Sequence, residues 1–177
     1  VISLPLLAIG LAGATEVSER KAYESVIREA TAELRLYDGW HTALLARATL
    51  LTADVRSAQA ARLAQLTADT ASAPASTGGI EVLVSATSHW KDTLHLADDG
   101  STAWTLSLLN GERRCSGQVD VVELKKPTEL DRTLYPHITD WDRVFRLRWG
   151  ADACGGGEPT ALRVQGRRGS GELEWTR

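Results

Sequence analysis

The residues best suited to chemistry gather between Lys125 and Arg143, in the stretch KKPTELDRTLYPHITDWDR. Tyr135, His137, Asp140, Trp141 and Asp142 all fall within this short passage. A histidine beside carboxylates is the residue set of acid–base hydrolysis, with His137 and Asp140 as proton carriers, and Asp131 with the later pair could instead hold calcium. Paired aspartates in a connection have a commoner use, however. Their side chains bond their own backbone and form turns.

The remaining candidates are weaker. Of the four histidines, His89 and His95 in HWKDTLH stand near each other and could share a face of an unbroken strand, while His41 is remote. Zinc needs three or four ligands, and no cysteine or glutamate stands at a supporting spacing, so no metal centre is expected. No Gly-x-Ser-x-Gly elbow occurs, and GSG at 169–171 reads as a hairpin tip. CGGGEP at 154–159 precedes a strand pattern and not a helix, so it forms no phosphate cradle. Neither a cofactor nor catalysis is expected from these motifs.

Tryptophan is abundant: six residues, against one phenylalanine and no methionine. Trp104, Trp149 and Trp175 fall on the apolar parity of their strands and are expected in the core, whereas Trp40, Trp90 and Trp141 fall in connections. Aromatic rings in connections either cover the end of a core or stack on sugars and anchor interfaces. Tyr135, His137, Trp141 and Trp90 are therefore the expected binding residues.

Two patterns must position these residues. From Glu16 to about Tyr37, apolar residues at Tyr23, Val26, Ile27, Ala30, Leu34 and Tyr37 recur at three- and four-residue steps, which predicts an amphipathic helix capped at Gly39. His41 to Leu66 is rich in alanine and leucine, and Thr52 with Asp54 marks a helix start inside it. Two or three helices are expected over residues 15–68. Residues 67–79 have a linker composition of Ala, Ser, Thr and Gly.

Beyond the linker the period changes to two. IEVLVSA, TAWTLSLL, GQVDVVEL, RVFRLRW, TALRVQG and GELEW, with DTLHL at 92–96, predict six or seven strands. ADDGS at 97–101 reads as a hairpin turn. The expected fold is α+β, with an N-terminal helical segment before a small antiparallel β-sandwich over residues 80–177. A turn at 167–170 would set Val164 opposite Leu173 and Arg163 opposite Glu174, with Arg146, Arg148, Arg163, Gln165, Glu172 and Glu174 forming a solvated charge ladder. In the insertion, Pro127 is expected to open a short helix, Leu130 and Leu134 to face inward, and Pro136 to end it.

The address is read from the first residues. Positions 1–14, VISLPLLAIGLAGA, are uncharged and end in Ala12-Gly13-Ala14, the small-residue pattern of a signal peptidase site, which predicts a mature end at Thr15. The run is shorter than the ~20 apolar residues of a membrane span. In an exported chain Cys115 and Cys154 are expected to pair, closing a loop of about forty residues. With 20 basic and 23 acidic residues, no basic face calls for nucleic acid.

The exported start, the helical N-terminal half and the passage PTELDRTLYPHITDWDRVFRLRW together resemble uncharacterised exported bacterial proteins, often lipoproteins, in which a proline-rich passage leads into an aromatic strand. The resemblance covers about residues 30–175 and implies export but no activity. Ala14 stands where a lipoprotein would carry the lipidated cysteine. The sequence thus reads as a non-catalytic binding or assembly module of the cell envelope, periplasmic, secreted or associated with the outer membrane, whose partner is another envelope protein or a cell-wall glycan. A carbohydrate- or peptidoglycan-binding module and a hydrolase with its site in the 125–143 insertion are the alternatives.

Overall fold

In the computed structural model, residues 9–67, 78–90, 94, 96 and 104–175 are described. Residues 68–77 of the expected linker at 67–79, the turn at 97–101, His95 and most of the DTLHL stretch lie outside them. The order is α1 (Ile9–Glu29), β1 (Thr31–Asp38), β2 (His41–Leu50), α2 (Ala53–Thr67), β3 (Ile80–Thr87), β4 (Trp104–Asn110), β5 (Arg113–Arg114), β6 (Asp120–Leu124), α3 (Glu129–Leu134), β7 (Arg143–Trp149), β8 (Ala161–Gly166) and β9 (Gly169–Glu174). The fold is α+β: the described residues form three helices and two antiparallel sheets, ordered β1-β2-β3-β7-β6 and β5-β4-β8-β9. No helix among them is long and apolar enough to cross a membrane.

Apart from DTLHL, whose described residues Leu94 and Leu96 lie in no strand, the strands expected after residue 80 appear where alternation places them, and β7 coincides with RVFRLRW. Residues 31–50 differ from the expectation. The six-turn helix over Glu16–Tyr37 ends at Glu29, and TAELRLYD and HTALLARATL pair as a hairpin. The physical reason is that 31–36 also alternate with period two: Ala32, Leu34 and Leu36 pack toward the shared core while Glu33 and Arg35 face out. Gly39 does take a positive φ of 60°, but in the two-residue hairpin loop Gly39-Trp40, not in a helix cap. β2 then pairs with β3, so the strands on either side of the 68–77 segment belong to one sheet. Thr52 starts α2 as expected, its Oγ1 accepting from the Val55 amide at 3.2 Å.

Sheet packing divides the apolar residues into two sets. One face of the five-stranded sheet supplies Leu44, Ala46, Val82, Val84, Phe145 and Leu147, which share a core with Leu106, Leu108, Leu162, Val164 and Leu173 of the other sheet. Trp104, Trp149 and Trp175 are buried in this core, as expected, and Trp175 Nε1 donates to the Ala48 carbonyl at 2.9 Å. The opposite face carries Leu83 and Val144, covered by Tyr23 and Ile27 of α1, Val55 of α2, and Tyr135 and Ile138 after α3. Tyr23 donates to the Leu134 carbonyl at 2.6 Å, joining α1 to the insertion.

Two further expectations are corrected. The β8–β9 turn is shorter: Gly166 pairs with Gly169, Leu162 with Leu173 and Arg163 with Glu172. The slip is two residues, which keeps every side chain on its expected face. Arg163 Nε meets Glu172 Oε1 at 2.8 Å. The charge ladder is not solvated throughout, since Arg146 Nε is buried without a partner. On the five-stranded sheet the helices cover the outer face, and Arg148 reaches Glu81, whose side chain is 5% exposed.

In the insertion, α3 is capped by Thr128 and Asp131, which bond each other's backbone amides at 3.2 and 2.7 Å. Pro127 therefore precedes the cap and does not open the helix. Leu134 packs inward, but Leu130 is exposed at 44%, because a six-residue helix docked by one face turns the other to solvent.

Candidate functional site

Three chain segments converge at the end of the β1–β2 hairpin. The first is the loop itself, with Asp38 paired to His41 and Trp40 between them. The second leaves β3: the His89 amide donates to the Thr42 carbonyl at 3.1 Å, which carries His89 and Trp90 alongside the start of β2. The third is the β8–β9 turn with Arg168. β1 lies close against β9 there, and glycine makes the approach possible, since a methyl group at Gly171 would come within 2.5 Å of Leu34 Cδ1.

The side chains pack in a chain of contacts. The His41 and His89 rings stack at 4.5 Å with a 23° interplanar angle, and Trp90 presents its ring at an angle to both, at 5.6 and 5.2 Å. The Arg168 guanidinium lies over the Trp90 ring, 3.9 Å from its centre, and bonds Asp38 at 2.6 Å. A cation on an aromatic face, tied at its other side by a carboxylate, holds Trp90 in place. Trp40 and Tyr37 stand outside this braced cluster, 98% and 61% exposed. One face of Trp90 is thus occupied by Arg168, and the open apolar surface is that of Trp40 and Tyr37.

The insertion distributes its residues differently. Tyr135 is buried among the helices, and burial raises its pKa above the usual tyrosine value. Asp140 pairs with Arg132 at 2.8 Å, and Asp142 accepts from the Thr139 amide at 2.8 Å, the turn-forming use of an aspartate. His137 Nε2 is buried and has no hydrogen-bond partner, so neither aspartate forms a dyad with it. Trp141 projects to solvent at 79% exposure. Of the four expected binding residues, Tyr135, His137 and Trp141 share this segment, while Trp90 belongs to the hairpin end.

Burial first, and the positive charge of Arg47 second, push the His137 pKa down from 6.5 to about 4. The imidazole is neutral at pH 7 and resists protonation in the folded state. Below its ordinary pKa the unfolded chain binds a proton that the native chain refuses, so stability is full above about pH 6.5 and declines toward pH 4. Between about pH 7.5 and 4.5 this residue is expected to remove about 2 to 3 kcal/mol. Urea unfolding of wild type and His137→Gln at both pH values checks it. The variant should lose less stability on acidification, and equal losses would refute the buried neutral imidazole.

The sequence sets His89 near His95, which lies outside the described residues, and the fold stacks His89 on His41. Tyr37, Trp40 and Arg168 were not among the expected binding residues. The signal that could have found the hairpin end is Asp38-Gly39 between two alternating runs, a strong short-range mark of a tight β-turn. Comparison of the chain with protein-family models, with curated proteins and with solved structures yields no match.

Proposed function

We propose that this chain is a non-catalytic binding or assembly module of a bacterial cell envelope, and that it recognises another envelope protein through the β1–β2 hairpin end. The scaffold we read as a sandwich of the two sheets with helices laid on one outer face. The observation that carries the reading is Trp40, a fully exposed ring on a loop braced by the His41–His89–Trp90–Arg168 cluster. Trp, Tyr and Arg are the residues that dominate interface energies. Burying an aromatic ring of roughly 150 to 250 Å² against a partner recovers several kcal/mol of hydrophobic free energy. The Cys115–Cys154 disulfide fits an oxidising, extracytoplasmic compartment. A glycan platform is less well supported, because Arg168 occupies the face of Trp90 on which a sugar ring would stack.

A photo-crosslinking amino acid in place of Trp40, expressed in the envelope, is expected to trap one protein that the same label at Glu172 does not trap. With that protein purified, Trp40→Ala is expected to weaken binding by about 2 kcal/mol, roughly thirtyfold. Co-sedimentation with peptidoglycan that depends on Trp40, without any protein adduct, would transfer the reading to a wall glycan. Binding unchanged in Trp40→Ala would remove the hairpin end from the interface.

A further inference from the structure

Arg62, on α2, is buried at 8% exposure. Its Nη1 donates to Gln65 Oε1 at 3.1 Å, and its Nε has no partner. Among the described residues no carboxylate forms an ion pair with it. The contrast with Arg56 and Arg148, which share the buried Glu81, is chemical. A guanidinium cannot shed its proton to escape burial, so a buried one is ordinarily matched by an anion.

Arg62 also lines a cleft of about 250 Å³ between α1 and α2, whose walls include Ala22, Tyr23, Val26, Ala58 and Ala61. Glu19, at the same cleft, is held by the Gln65 amide at 2.9 Å and not by Arg62. We propose that this cleft binds a small organic acid, its carboxylate on the Arg62 guanidinium and its apolar body along the alanine and valine wall. With Nη1 engaged by Gln65, the guanidinium meets the carboxylate through its fixed charge and a charge-assisted hydrogen bond. One unpaired cation neutralises a monoanion, whereas a phosphate dianion would leave a surplus charge facing Glu19. The volume suits a short chain. This site is separate from the hairpin end and stands whether or not that surface binds a protein.

The test is thermal unfolding and calorimetry of the whole chain with sodium octanoate, with octanol for the tail alone and acetate for the head alone. Octanoate at about a hundredfold excess over its Kd is expected to raise Tm by roughly 5 to 10 °C, with octanol and acetate giving far less. In Arg62→Met the octanoate shift should vanish, while the unliganded variant melts no lower than wild type, since an unpaired buried charge has been replaced by an apolar chain of similar length. Ala61→Phe, at an exposed wall position, should fold normally and also abolish the shift by filling the cleft. The proposal is overturned by equal octanoate shifts in wild type and Arg62→Met, by no shift in wild type, or by an Arg62→Met protein that melts well below wild type without ligand, which would make Arg62 a structural residue. It is likewise overturned if octanoate is silent and wild type, but not Arg62→Met, self-associates on gel filtration, because the counter-charge then comes from a second copy.

Discussion

Replacing Glu81 with alanine is expected to destabilise the protein by about 3 kcal/mol, at the lower end of the range for breaking a buried ion pair. Glu81 lies near the start of β3, and its 5% exposed carboxylate accepts from Arg56 Nη2 at 2.8 Å and Arg148 Nε at 2.7 Å. The group therefore ties α2 to two neighbouring strands of the five-stranded sheet. Removing it strands the Arg56 side chain at 14% exposure, whereas Arg148, at 38%, can turn part of its charge to water, which sets the estimate at the lower end. Charge burial and not lost packing is the cause, so the triple variant Glu81→Leu, Arg56→Met, Arg148→Met should recover most of the loss. Urea unfolding at neutral pH reads both, as a lower midpoint at unchanged slope for the single variant. A loss below about 1 kcal/mol in Glu81→Ala would show that water screens the triad.

Opening the disulfide is expected to cost a similar amount by another route. Cys115 and Cys154 are bonded across 39 positions of sequence, joining the chain after β5 to the loop after β7. The same junction is held by the Ser116 amide and hydroxyl, both donating to the Ala153 carbonyl at 2.7 and 3.1 Å. The native geometry is therefore expected to survive reduction, with the bridge acting mainly by restricting the unfolded chain, by about 4 kcal/mol for a loop of this length. Cys115→Ser and Cys154→Ser should each lose about that much, and the double variant little more, because either change alone opens the loop. Additive losses would mean that each thiol packs independently and that the loop constraint contributes little.

Both expectations bear on how the proposed binding surface is held. The braced cluster at the hairpin end depends on β1 lying against β9, and that apposition depends on the shared core of the two sheets. Loss of stability in the sheets therefore reaches Trp40 indirectly, so any binding variant must be compared at equal folded fraction.

The sequence by itself determined those features whose signal is local. Alternation of period two is set by the pleat, so the strands from Ile80 onward, and the burial of Trp104, Trp149 and Trp175, were legible from side-chain parity alone. Thr52 as the start of α2 and the turn-forming use of Asp142 are likewise contacts within three residues. The cysteine pair was legible for a different reason: two thiols in a chain expected to be exported have few other fates.

Tertiary structure decided whatever rests on partners distant in sequence. Residues 31–50 satisfy a helical and a strand period at once, and pairing of β2 with β3 resolves the ambiguity. The β8–β9 register moved by two because the pleat constrains parity but not the length of the turn. The arginines of β7 look alike in the chain, and only the helices laid over their sheet make Arg148 the partner of a buried glutamate. His41 and His89 are 48 positions apart, and their stacking with Trp90 under Arg168 exists because three strand ends meet at one corner. Periodicity along a chain shows which face a residue takes; which other residue it meets there is set by the packing of whole elements.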